Sequence, residues 1–103
     1  MKLQNPFKIE DRELFRDVEY ECFLCGGNQG VELHHIAGRI SNSPLNGAPL
    51  CKECHSHANH NEDEEKYYFT KTLRYLMRQK YQITEKDIEF IKSYKRLKEV
   101  VYE

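Results

Sequence analysis

The sequence predicts a small α+β domain, clipped by a metal in its middle third and closed by a helical hairpin. Three observations predict it. All four cysteines fall within one stretch, as the pairs Cys22/Cys25 and Cys51/Cys54. A short alternating segment, residues 31–36, follows the first pair, and a loop with a short return segment precedes the second. After Asn61, apolar residues recur at steps of three and four in two successive runs.

The chain has 103 residues, of which 39% are hydrophobic and 32% charged. That suffices for one domain with a modest core, and a bound metal would help such a domain fold. Residues 1–21 are expected to form a lead-in and short helix, 22–61 the metal core, and 62–103 two helices. The formal net charge is -1, which neither announces nor excludes a nucleic-acid partner, since the distribution of charge matters more than its sum. Residues 1–13 lack the apolar core of a secretory signal. No apolar run approaches the roughly 20 residues of a membrane span. The expected setting is therefore the cytoplasm, with no membrane partner.

Residues 1–10 have no clear period, and Phe7 and Ile9 are the side chains suited to tack them to the body. A short helix is expected over 11–18, with Asp11 as cap and Leu14, Phe15 and Val18 on one side. Residues 22–27 (CFLCGG) read as a knuckle, and 28–30 as a turn. In the strand expected over 31–36, Val31, Leu33 and His35 share one face, and Glu32, His34 and Ile36 the other. Glycine, asparagine and proline make 37–49 a loop, with room for a return strand near 48–50. From Cys51, a second knuckle is expected to run into a helix carrying His55 and Asn59 on one face. The acidic run Glu62, Asp63, Glu64 and Glu65 suits a helix start. That helix is expected to reach Lys80, with Phe69, Leu73, Leu76 and Met77 as its stripe and Tyr68 and Tyr75 at the edges. Thr84 with Asp87 reads as a cap, and Ile83 with Ile88 as a hydrophobic staple. A last helix is expected to run to about Val101 through Phe90, Tyr94 and Leu97.

Two CxxC pairs separated by 25 residues point to a structural zinc. Each close pair turns two thiolates towards one ion, and two pairs complete a tetrahedron. Four buried thiols without a metal, or two disulfides in an exported domain, are the alternatives. A closed site of this kind does no chemistry. However, His34, His35, Asn46, His55 and Asn59 stand between and after the cysteines. Adjacent histidines on a strand point to opposite faces, so one can face a metal while the other faces water beside a substrate. An imidazole titrating near neutrality suits a general base. Next to it, a divalent ion would stabilise charge on phosphoryl oxygens.

His34-His35-Ile36, Asn46 and Cys51-Lys52-Glu53-Cys54-His55 together resemble the HNH endonucleases, specifically the subclass braced by two CxxC pairs. The resemblance covers about residues 22–59. It implies a beta-beta-alpha-metal core and metal-dependent hydrolysis of DNA, most naturally double-stranded. His35 would be the general base, His34 and His55 would bind the catalytic metal, and Asn46 would hold the loop and orient the base. Asn59 lies where many relatives carry a second histidine, and would ligate through its amide oxygen or a water. The implied cofactors are a structural Zn2+ and one catalytic divalent ion, Mg2+, Mn2+, Ni2+ or Zn2+. Phage-type relatives make a phage or host DNA-processing protein, or a second copy of the chain, possible partners, and an infected host cell a possible setting. Arg39 is expected either to clamp a phosphate or to be a solvated loop residue. Lys52 is a weaker phosphate candidate. Lys71, Arg74, Arg78 and Lys80 are either a solvated helix face or a track for a DNA backbone. His55 has an alternative use as a ligand of the structural zinc. His57 is a bystander, while His60 is the spare candidate for a ligand or phosphate contact. The rival function is a four-cysteine zinc module that binds DNA or protein without cutting; an assembly adaptor using the helical hairpin is a third.

Overall fold

The computed structural model describes Phe7 and residues 9–15, 21–27, 29–38 and 40–102. The Ile9 side chain, Val18, Asn28 and Arg39 lie outside the described residues, and so do the expectations placed on them. The order is α1 (Ile9–Glu13), β1 (Glu32–His35), a 3-10 turn (Pro44–Asn46), β2 (Gly47–Leu50), α2 (Lys52–Ser56), α3 (Glu62–Arg78), α4 (Glu85–Ser93) and α5 (Lys95–Val101). This is a small α+β architecture with a two-stranded sheet. The antiparallel register pairs Glu32 with Leu50, His34 with Ala48 and His35 with Gly47.

The sheet is a narrow platform whose loop is pinned from within. Ser43 caps the 3-10 turn through its hydroxyl. Asn46 is fully buried and bridges the loop: its Oδ1 accepts from Ala37 N–H at 2.8 Å, and its Nδ2 donates to the carbonyls of Gly38 and Ser41 at 3.0 and 2.8 Å. Gly47 follows, opposite His35. A Cβ there would lie 3.3 Å from the Phe7 ring and 3.5 Å from the Pro44 carbonyl, so a larger residue would crowd the strand crossing.

α3 is the backbone of the fold. It packs against β2 and the 3-10 turn on one side and against α5 on another, and Thr72 Oγ1 donates to the Gly47 carbonyl at 2.7 Å. Its buried face is Glu65, Tyr68, Phe69, Thr72, Tyr75 and Leu76. The expected stripe is thus rotated: Tyr68 and Tyr75 sit at its centre, whereas Met77 is exposed and Leu73 only half-buried. The rotation follows from the partners, because Tyr75 stacks on Phe15 at a centroid distance of 5.5 Å and Phe69 meets Phe90 and Tyr94 edge-on.

Four further expectations are corrected. Asp11 lies inside α1, which starts at Ile9. The last helix is two helices, broken at Tyr94, whose φ of -118° and ψ of 108° are extended. The Thr84–Asp87 capping box forms, but Ile83 and Ile88 both stay exposed and bury no staple. Asp87 is instead drawn inward, accepting from Ser43 Oγ and Tyr81 Oη. Finally, α2 stops at Ser56. His57 N–H bonds to the Cys54 carbonyl and Ala58 N–H to that of His55, both at 3.2 Å. These three-residue closures end the helix one turn in, so His55 and Asn59 do not share a helical face.

Candidate metal centres

The two knuckles meet beside β2. Phe23 N–H donates to the Pro49 carbonyl at 2.8 Å, holding the first pair against the strand that leads to the second. Gly26, at φ 78°, makes the turn after Cys25, and its N–H closes on the Cys22 carbonyl at 2.9 Å. The sulfurs accept backbone N–H groups: Cys22 from Leu24 and Cys25, Cys25 from Gly27, and Cys51 from Cys54, at 3.3 to 3.5 Å. Such bonds favour thiolates. Burial works to raise the Cys22 thiol, but its N–H donors outweigh this and bring it down to about 6. Cys54 is pushed up, first by the Cys51 sulfur beside it and then by burial. Four sulfurs this close resist sharing negative charge, which a divalent cation would relieve.

All four Sγ atoms lie within 4.8 Å of one another, and those of Cys25 and Cys51 are 3.7 Å apart. Zn–S bonds of about 2.3 Å place tetrahedral sulfurs about 3.8 Å apart, so the residues fit a structural zinc. Among the described residues this is the only group of three or more histidine, cysteine or acidic side chains whose ligand atoms come so close.

The histidines gather elsewhere, around a cavity of about 710 Å³ whose lining includes Phe7, Glu32, His34, His35, His55 and His60. His34 and His35 leave the strand in different directions. The His34 ring lies 5.1 Å from that of His55 and 5.3 Å from that of His60, and packs edge-on to Tyr68. The His35 ring stacks under Phe7 at 4.1 Å. His34 is buried, and its Nε2 has no hydrogen-bond partner. Burial first, then the neighbouring His55, His60 and His35, pushes its pKa down to about 3. It is neutral at neutral pH and keeps a lone pair.

Hydrogen bonds assign the tautomers of the other rings, because carbonyl and carboxylate oxygens only accept. His55 Nδ1 donates to Glu32 Oε2 at 3.0 Å, and His60 Nδ1 donates to the Ile36 carbonyl at 2.9 Å. In the neutral form of either ring the lone pair is then on Nε2. His35 Nε2 donates to Asn42 Oδ1 at 2.9 Å, which puts its lone pair on Nδ1. The His34 cluster thus sets a buried nitrogen without a partner beside two imidazoles whose Nδ1 atoms are engaged, but the ligand atoms of the three rings are not drawn together as closely as the four sulfurs.

Asn59 lies apart from this set. It is exposed, its N–H bonds to Glu64 Oε2, and its side-chain amide turns towards the His57 carbonyl. The ring beside His34 is that of His60. His57 is exposed and outside the lining. Lys71 is committed to the fold, donating to the Phe23 carbonyl at 2.8 Å; Lys52, Arg74, Arg78 and Lys80 are exposed. Two neighbours of the histidines escaped the sequence reading. Glu32 carried a signal, since it shares a strand face with His34. Asn42 carried none, because the loop path alone brings it to His35.

Among the described residues, no helix is long and apolar enough to cross a membrane. The chain matches no family model, no curated protein and no solved structure.

Proposed function

We propose that the chain is a zinc-braced module that engages nucleic acid or protein. The observation that carries the module is the four-sulfur cluster, the one ligand set drawn together at metal-binding distances among the described residues. Binding alone requires no more than this brace and an outer surface.

A second reading, metal-dependent DNA hydrolysis, is favoured by the histidine cavity. A pure binding module has no use for a buried, unpartnered His34 Nε2 in a ring packed beside two oriented imidazoles. In this reading His34, His55 and His60 would hold a divalent ion, which when bound would neutralise charge on a phosphoryl group. His35 would take the proton from the attacking water. Asn42 would keep the opposite nitrogen protonated, and Phe7 would hold the ring plane. Asn46 would keep the loop closed so that His35 and Asn42 stay in register.

Cleavage of supercoiled plasmid, single-stranded DNA and RNA, with Mg2+, Mn2+, Ni2+ or Zn2+ and a chelated control, separates the readings. Nuclease activity predicts metal-dependent nicking that His35→Ala lowers on the order of 100-fold or more without loss of DNA or metal affinity. DNA or protein binding with no cleavage by the fully metallated chain supports the module alone.

A further inference from the structure

We infer that Arg96, on the last helix, is a positioning residue for His60, anchored by the buried carboxylate of Glu65, so that the C-terminal helices help build the histidine cavity; this rests on reading that cavity as a metal site.

His60 lies in the segment between α2 and α3, where no helix holds it. Two contacts and a ring stack place it. Its Nδ1 donates to the Ile36 carbonyl, and its ring stacks on His34 with an interplanar angle of 21°. Its carbonyl accepts from Arg96 Nη1 at 3.2 Å. The same nitrogen pairs with Glu65 Oε1, while Tyr94 Oη donates to Glu65 Oε2. Glu65 is fully buried on α3. A buried carboxylate fixes the group that pairs with it, because losing the partner leaves an uncompensated charge. The guanidinium offers several N–H donors in a rigid plane, so one anchored Arg96 can satisfy Glu65 and grip the His60 backbone together. Without that grip only the Nδ1–Ile36 bond and the stack on His34 would hold the ring, and the direction of the Nε2 lone pair would be less firmly fixed.

A merely structural ion pair would stabilise the fold and leave metal affinity untouched. The test therefore measures both on protein loaded with structural zinc. Arg96→Gln is the direct variant. Glu65→Met/Arg96→Met removes the pair without leaving a buried charge and serves should the first not fold. Nickel binding at the second site is followed by calorimetry, and the His60 tautomer by imidazole 1H–15N correlation spectra at neutral pH. The expected result is a roughly 10-fold weaker nickel affinity, conversion of the His60 signals from the single Nδ1–H tautomer to a mixture, and no further loss when the substitution is made in His60→Ala. If the parent binds nickel and the variants bind it equally well, or lose the same affinity in His60→Ala, the positioning role is overturned while the cavity reading stands. If the parent binds no second metal, the cavity reading fails and takes this one with it.

Discussion

Asn46 is the side chain on which the loop of the sheet depends. Fully buried, it makes three hydrogen bonds to the backbone of Ala37, Gly38 and Ser41. Asn46→Asp keeps the shape but loses both donors and turns a carboxylate oxygen towards two carbonyls. It is expected to destabilise the domain by on the order of 2 kcal/mol or more, read from urea unfolding. His34 makes a different residue-scale statement. Its pKa falls from its ordinary value of 6.5 to about 3 in the folded state. The unfolded chain thus binds a proton that the folded chain refuses. The resulting stability is complete above the unfolded pKa and is lost as pH falls towards the folded one, at up to about 1.4 kcal/mol per pH unit. In the presence of a mild chelator, the urea midpoint is expected to drop more between about pH 7 and about pH 5.5 in the parent than in His34→Gln. Equal drops would show that His34 titrates normally.

At the scale of elements, the ends of helices decide most. α3 closes with Tyr81 N–H on the Leu76 carbonyl and Lys80 N–H on that of Met77, both at 3.0 Å. This crossed pattern requires a left-handed residue, and Lys80 supplies it at φ 59°. Glycine takes that conformation without the steric cost of a Cβ, so Lys80→Gly is expected to stabilise the protein by about 0.5–1 kcal/mol, seen as a raised melting temperature. The early stop of α2 decides which side chain meets His34. Because the helix ends at Ser56, the chain turns and brings His60 to His34, while Asn59 faces solvent. If the histidines hold the proposed second metal, His60→Ala is expected to weaken its binding about 10-fold or more, and Asn59→Ala to leave it unchanged, both by titration of zinc-loaded protein. The reverse order would return Asn59 to the ligand set.

At the scale of the whole molecule, the cysteine cluster and α3 are the two devices that hold separate segments together. The cluster joins residues 22–25 to 51–54, and α3 ties the sheet, the first knuckle and the last helix into one core through Thr72, Lys71 and Phe69. A structural zinc contributes its binding energy to folding. Mild chelation should then remove only an ion held by the histidines and leave the cooperative melt intact. A thiol-directed mercurial that ejects the cysteine-bound ion should abolish it, as should Cys51→Ser. Full metal content and an unchanged melt in Cys51→Ser would remove the cluster from the fold's support.

Cysteine spacing alone was enough to call for the zinc site, because two residues between thiols is a local geometry that short-range backbone turns satisfy. The strand carrying His34 and His35, the return strand into Cys51, the long helix and the Thr84–Asp87 cap were legible for the same reason. Each depends on neighbours within a few residues. The resemblance pointed to the histidines, but not to how they are arranged. Only the tertiary structure decided that Tyr68 and Tyr75 face inward on α3, since their ring partners, His34 for Tyr68 and Phe15 and Phe23 for Tyr75, come from distant segments. It alone brought Glu32 to His55, Asn42 to His35 and His60 to His34. Those meetings depend on where a helix stops and how a loop crosses, and the segments so placed are held by long-range hydrogen bonds such as Arg96 to His60 and Ser43 to Asp87. No period in the sequence encodes them.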